Sequence, residues 1–266
     1  MRRGGVFWGT ILIVVGVLFL LNSTGVLRVN VWSLFWSLLL IAAGLSLLWG
    51  VLFGRPIPPV ARASVPLSGA EEGRVRLRHG AGELAVSSGA PADQLLEGVF
   101  HGGVDYRTYR QGQVLAVDLR PAKGFYGWPF PFIWLPGRGL DWTVRLSPLV
   151  PLRLVLDTGA SRSRLDLSGL RVVDLDMSTG ASATDVILPA GAGQTRARIK
   201  SGVAAMNVRV PEGVAAHIEV QSGLAGITVA GRFPRSGGVY QSPDYGSAAN
   251  RVDLRIVAGV GAVTVE

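Results

Sequence analysis

The fold class that the sequence predicts is a two-helix transmembrane hairpin followed by an all-β domain of stacked, solenoid-like coils. Two uncharged apolar runs near the N-terminus indicate the hairpin. Beyond them, an apolar-x-apolar-x-x-Gly pattern recurs at about 21–22 residues per coil, which indicates stacked β-structure. We therefore expect residues 1–53 to form the hairpin, 54–70 a proline-rich linker, and 71–266 the β-repeat domain.

The hairpin is predicted from the length of the apolar runs. Residues 6–21 hold 16 uncharged residues and residues 31–53 hold 23, and a membrane-spanning helix needs about 20. We expect helices at about 6–22 and 31–53, with the lipid bilayer as their partner. A signal peptide is the alternative for the first run, but it lacks a small-x-small cleavage site and a second span follows closely.

The distribution of charge predicts the orientation of the chain in the membrane. Residues 1–62 contain no acidic side chain and carry five of the eight net positive charges of the chain. Their arginines are Arg2, Arg3, Arg28, Arg55 and Arg62. Since only Arg28 lies between the runs, the positive-inside rule puts both termini and the β-domain in the cytoplasm. The excess charge lies beside the bilayer rather than on a folded face, which argues against nucleic acid as a partner.

The composition limits the chemistry. The chain has no cysteine, which excludes disulfides, thiolate metal sites and cysteine nucleophiles. Its three histidines are scattered, so we expect no metal and no cofactor.

The repeat predicts the β-domain. Apolar residues alternate on both sides of a recurring glycine, as in strands with one buried face. These glycines are Gly80, Gly159, Gly180, Gly202, Gly223 and Gly259. Each is expected to mark a tight turn with positive φ or a close approach of two backbones. A sandwich of ordinary hairpins is the alternative. Residues 87–121 interrupt the pattern, with a helical turn expected at Pro91–Leu96 and strands near 99–109 and 113–120.

One motif resembles a catalytic sequence. Leu154 to Ser161 reads LVLDTGAS, similar to the catalytic turn of aspartic proteases, in which paired aspartates activate water. The slot of Asp157 holds Ser178, Lys200 and Gln221 in later coils, and the chain has no second Asp-Thr-Gly. We therefore expect a structural turn and no catalytic residue, with a retropepsin-like protease using Asp157 as a remote alternative.

The segment 121–142 is predicted to be an insertion rich in aromatic residues. Its aromatics form a candidate interaction surface: Phe125, Tyr126, Trp128, Phe130, Phe132 and Trp134. Pro129 and Pro131 argue against an interior strand. The aromatics either cover an end of the stack or form an exposed patch that binds a partner or the membrane interface.

Two regions resemble a known family. Gly9, Gly16 to Asn22 (GVLFLLN) and Leu38 to Gly44 (LLLIAAG) are similar to the LiaF-type bacterial transmembrane domain. Gly80 to Val86 (GAGELAV) and Leu95 to Phe100 (LLEGVF) resemble the start of the toast-rack β-domains of LiaF-like cell-wall-active antibiotic response proteins. The later coils are similar to adhesin-like repeats.

The resemblance implies a non-enzymatic regulator of the bacterial envelope-stress response that acts on a membrane sensor kinase. It supplies no catalytic residue to transfer. The inserted segment 121–142 departs from the family, so the partner could be another membrane protein. The second hypothesis is a structural envelope protein that assembles as a homo-oligomer.

Overall fold

The computed structural model describes residues 36, 37, 40, 41, 44, 60–122 and 141–266. The chain divides into two units, Met1–Ile57 and Pro58–Glu266. In the first unit the described residues, Trp36, Ser37, Leu40, Ile41 and Gly44, are all helical. Among the residues that the structure describes, no helix has both the length and the apolar content needed to cross a membrane.

In the second unit, the described residues form thirteen strands within one hydrogen-bonded sheet. They are β1 (Ala61–Pro66), β2 (Glu72–Ser88), β3 (Gln94–Phe100), β4 (Val104–Gln111), β5 (Val114–Pro121), β6 (Trp142–Leu146), β7 (Leu152–Asp166), β8 (Val172–Ile187), β9 (Gln194–Arg209), β10 (Ala215–Val229), β11 (Arg235–Ser236), β12 (Val239–Gln241) and β13 (Arg251–Val265). The prediction of an all-β domain is confirmed.

Six long strands form the body of the domain as a parallel stack in the order β2-β7-β8-β9-β13-β10. Each carries its repeat glycine near its middle and is bent there into two arms. The first arm precedes the glycine and the second arm follows it. In β7 the buried positions are 152, 154, 156 and 158 before the glycine, and 161, 163 and 165 after it. This shift of parity keeps the apolar residues of both arms on the inside, so the core lies within the bend.

The repeat glycines form a column along the bend, which we call the glycine column. None of the six has a positive φ, so the close-approach alternative explains them. A Cβ on Gly180 would lie 3.1 Å from the carbonyl oxygen of Gly159, and one on Gly202 would lie 3.1 Å from that of Gly180. Glycine is required because the coils meet backbone to backbone at each bend.

The order of the coils differs from the order of the sequence. The last strand, β13, lies between β9 and β10 and pairs in parallel with both. Residues 230–250 therefore connect the end strand β10 back to an inner coil. This arrangement replaces the simple succession of coils that the glycine spacing predicts, because a connection of this length lets the chain pass over one position in the stack.

The β2 end of the stack is covered by other strands. The first arm of β2 pairs with β5 and the second arm with β6, which continues through β3 to β1. Residues 91–93 form a turn and β3 begins at Gln94, so the predicted helical turn at Pro91–Leu96 is wrong. Leu95 and Leu96 are both fully buried within this extended strand.

The proline-rich segment 54–70 also departs from its predicted form. Strand β1 lies inside it and pairs antiparallel with β3. Pro66 ends this strand, at the edge of the sheet, where a missing backbone donor is tolerated.

Candidate interaction surface

Asp157 lies on the outer face of β7, within the strand rather than in a turn. Its carboxylate accepts a hydrogen bond of 2.9 Å from the guanidinium of Arg76. Its register neighbours are Arg78 and Ser178. The motif is therefore part of a continuous strand whose aspartate faces a guanidinium, whereas an aspartic protease needs a second carboxylate at that place.

The histidines, aspartates and glutamates are dispersed in the described part of the chain. There, no group of three or more His, Asp and Glu residues could hold a metal ion. His79 is buried against Trp142, with ring centroids 5.3 Å apart. An open depression of about 470 Å³ lies beside His217 and Gln241 under residues 234–243, without a cluster of charges that would bind a cofactor.

The candidate surface predicted from the aromatic residues lies outside the described residues. Strand β5 ends at Pro121 and β6 begins at Trp142, and Phe125, Tyr126, Trp128, Phe130, Phe132 and Trp134 fall between them. This surface remains a prediction.

The described residues form a different apolar surface, directly after the glycine column. In all six coils the residue after the repeat glycine is apolar and points outward. Their register joins them into one continuous row, which we call the apolar ridge: Ala81, Ala160, Ala181, Val203, Val260 and Leu224. Sequence analysis missed this ridge, although the Gly-apolar pair in every coil was the signal.

The ridge becomes larger and more exposed toward the β10 end of the stack. Val203 is 57% exposed, Val260 46% and Leu224 83%. Beside it, the outward positions Ala205, Ala262 and Gly226 are aligned across β9, β13 and β10. This part of the second-arm face is therefore flat and uncharged. Contiguous exposed apolar surface of this kind is typical of interaction sites.

The outer face of the first arm has the opposite character. Ion pairs cross neighbouring coils there, with Arg153 2.7 Å from Glu72 and Arg198 3.3 Å from Asp174. Such exposed pairs contribute little to stability and keep this face solvated. The molecule therefore has a charged first-arm face and an apolar second-arm border, and the second is the better candidate for binding a protein.

The pKa of one carboxyl group near the apolar ridge, that of Glu266, is lowered by neighbouring side chains. The Arg209 guanidinium donates a hydrogen bond of 2.9 Å to Glu266, and the Asn207 amide lies 3.3 Å from the same oxygen. These hydrogen bonds lower the pKa of Glu266 below its ordinary value. The ion pair joins β9 to the end of the chain beyond β13.

Comparisons with known proteins find two family models that match parts of the chain. A family model described as the N-terminal domain of toast_rack matches residues 59–209, more than half of the chain. A second model, described as the LiaI-LiaF-like transmembrane region, matches residues 6–48, which indicates a membrane protein. A comparison with curated proteins finds no match.

Two solved structures match the chain, and the first of them shares its fold. A candidate cell adhesion protein from Clostridium sporogenes is 21% identical with a TM-score of 0.71, covering 78% of this chain and 98% of that chain. A candidate adhesin from Bacteroides fragilis is 8% identical with a TM-score of 0.25, covering 79% of this chain and 99% of that chain. The first likeness supports the stacked β-architecture, and at this identity it shows the fold alone.

Proposed function

This chain belongs to the family defined by the N-terminal domain of toast_rack, and from that premise we propose that it is a non-enzymatic, membrane-anchored interaction protein. In this proposal it regulates a membrane sensor kinase of the bacterial envelope-stress response. The match of residues 6–48 to the LiaI-LiaF-like transmembrane region supports the anchor. The arginine distribution supports two spans, at about 6–22 and 31–53, with the β-domain on the cytoplasmic side.

The apolar ridge is the observation that carries an interaction role. Val203 and Val260 are exposed aliphatic side chains on neighbouring strands, bordered by small uncharged residues. A helix of a partner could bury its apolar stripe against such a flat face without displacing any charged group. Exposed aliphatic residues of this kind cost solubility, so a bound partner gives a physical reason for their presence.

A stacking structural protein is less well supported. Open-ended assembly of a β-stack needs free strand edges at both ends. Among the described residues, both arms of β2 are already paired, the first with β5 and the second with β6. The domain therefore resembles a module with one covered end more than a unit of a filament.

The test is capture of the partner from crosslinked native membranes with the full-length chain. We expect Val203→Glu to lower the yield of a co-captured sensor kinase about tenfold, as for loss of an interface anchor. Ala160→Glu is the matched control, because it adds the same charge to the same ridge at its small-residue end. Equal capture by both variants would exclude the ridge as the binding surface. Absence of any sensor kinase from the wild-type capture would overturn the proposed function.

A further inference from the structure

The β10 end of the stack is only half covered among the described residues. Strand β12 pairs with β10 at His217 and Ile218 alone, and the Ser242 hydroxyl accepts a hydrogen bond of 2.8 Å from the Ala216 amide. Strand β12 and Ser242 thus cover the backbone edge at the start of the first arm of β10. From Glu219 to Val229, β13 is the single strand of the described residues that pairs with β10. The outer backbone edge of β10 is therefore free of pairing among these residues.

The exposure of inward side chains shows where the core is open. Ile227 points inward and is 36% exposed, whereas Val263, its register partner on β13, is 1% exposed. Val220 and Val229 are also only partly buried. The end of a stack normally carries a cover that shields its last apolar layer, and the residues that the structure describes supply no such cover over the second arm.

This edge also lacks the features that keep strand edges apart. Residues 220–230 read VQSGLAGITVA, without a charge or a proline. The other free edges differ: β1 carries Arg62 and Pro66, and β4 carries Asp105, Arg107 and Arg110. Charges and prolines on an edge oppose pairing with another chain. The free part of β10 carries a single charge, Glu219 at its start, and has neither a charge nor a proline from Val220 to Val229.

We infer that the free edge of β10 pairs with the same edge of a second copy of this chain, forming a closed two-fold dimer. An uncharged edge meets its own copy without like-charge repulsion, and pairing would satisfy the free backbone groups of both strands. The inward residues of the two open ends would then cover each other. This dimer does not depend on the proposed kinase partner.

The bend fixes the register of this pairing. The two-fold axis must place inward residues of one copy against inward residues of the other, and the parity of β10 changes at Gly223 and Leu224. A pairing that spans both arms meets this condition only when it is centred between these two residues. Val220 then lies opposite Ile227, and the outward residue Gln221 lies opposite Gly226.

The covered β2 end explains why pairing stops at two copies. A head-to-tail stack would need a free edge on β2, and β5 and β6 occupy its two arms. Among the edges that the described residues leave free, the uncharged part of the β10 edge matches that of another β10, which makes the contact isologous and closed. The apolar ridges of both copies would meet at the axis through Leu224.

The test uses the absence of cysteine from the chain. The full-length double variant Gln221→Cys with Gly226→Cys is oxidised in membranes and run on a non-reducing gel. Opposed Cα atoms of an antiparallel pair lie about 4.5–5.5 Å apart, within disulfide range. The two positions of one chain lie five residues apart on one strand, beyond that range. Gly226 has open space for a side chain.

We expect the double variant to give a crosslinked dimer and neither single-cysteine variant to do so. Adding Leu224→Glu should lower the dimer yield about tenfold, because two carboxylates would meet at the axis. Leu149→Glu is the matched control, since Leu149 is also exposed, at 54%, but lies before β7. No crosslink in the double variant, equal crosslinking of the single variants, or a ladder of higher oligomers would each overturn the inference.

Discussion

Gly159 lies directly beside the carbonyl oxygen of Gly80 in the neighbouring coil, with no space for a side chain between them. A Cβ at this position would approach the oxygen more closely than real Cβ atoms do. The contact repeats through the glycine column, from coil to coil across the stack. Glycine therefore sets the bend by permitting backbone contact, and each bend turns both arms toward the core.

Substitution within the glycine column should destabilise the domain. In Gly180→Val, the new Cβ lies 3.1 Å from the Gly159 carbonyl, and two backbones must separate to admit the side chain. We expect a loss of about 1–3 kcal/mol in the free energy of unfolding, as for other overpacked sites, measured by denaturant unfolding. Gly226→Val is the control, because Gly226 has nothing within 4 Å. Equal stability of the two variants would contradict this account.

Asp157→Asn should leave function intact. The substitution removes one partner of an exposed ion pair with Arg76, which costs about 1 kcal/mol or less. The measurement is the envelope-stress response together with an assay of pepstatin-sensitive proteolysis. Proteolysis that is present in the wild type and lost in the Asn variant would restore the protease hypothesis.

The fold was predictable where the signal is local. Alternation and glycine spacing identify the arms and their bends, because both depend on residues within a single coil. The position of β13 between β9 and β10 was not predictable from the sequence, since both β10 and β13 carry inward apolar residues and either could occupy the inner place. The ridge was visible as a Gly-apolar pair, as in Gly202-Val203, but only the register shows that these residues form one row.

The pKa of Glu266 provides an electrostatic test. Hydrogen bonds from Arg209 and then Asn207 lower this pKa in the folded protein. The resulting stabilisation is present above the pKa of the unfolded state and is lost as pH falls through the folded pKa. Carboxyl NMR titration should show the pKa of Glu266 returning toward its ordinary value in Arg209→Ala. Arg145→Ala, which breaks a separate pair with Glu97, should leave it unchanged.

The orientation in the membrane has a direct test. A reporter enzyme that is active only outside the cytoplasm, fused after Glu266, should stay silent. The reason is that only Arg28 lies between the two predicted spans, while the other four arginines of residues 1–62 flank them. The same reporter inserted at residues 22–30 is the positive control. Activity of the fusion after Glu266 would place the β-domain on the cell-wall side.

The last prediction concerns Trp128 and Trp134 of the aromatic insertion, with Trp142 as an internal standard for a core tryptophan. Trp142 is 1% exposed and packs edge-to-face on Phe100 at 5.1 Å between ring centroids. Trp142→Ala should therefore cost about 3–5 kcal/mol of stability. If Trp128 and Trp134 are surface anchors, the double variant Trp128→Ala with Trp134→Ala should melt close to the wild type.

The double variant should also lose membrane or partner association, because a few large aromatic anchors usually carry most of the binding energy of an interface. Thermal unfolding of the wild type, Trp142→Ala and the double variant distinguishes a binding role of Trp128 and Trp134 from a structural role. Flotation with vesicles or partner capture measures association. If the double variant loses as much stability as Trp142→Ala and shows no separate loss of binding, the aromatics belong to a core. The surface prediction would then be wrong, because it is based on the density of aromatics and on the extended path that the sequence predicts from Pro129 and Pro131.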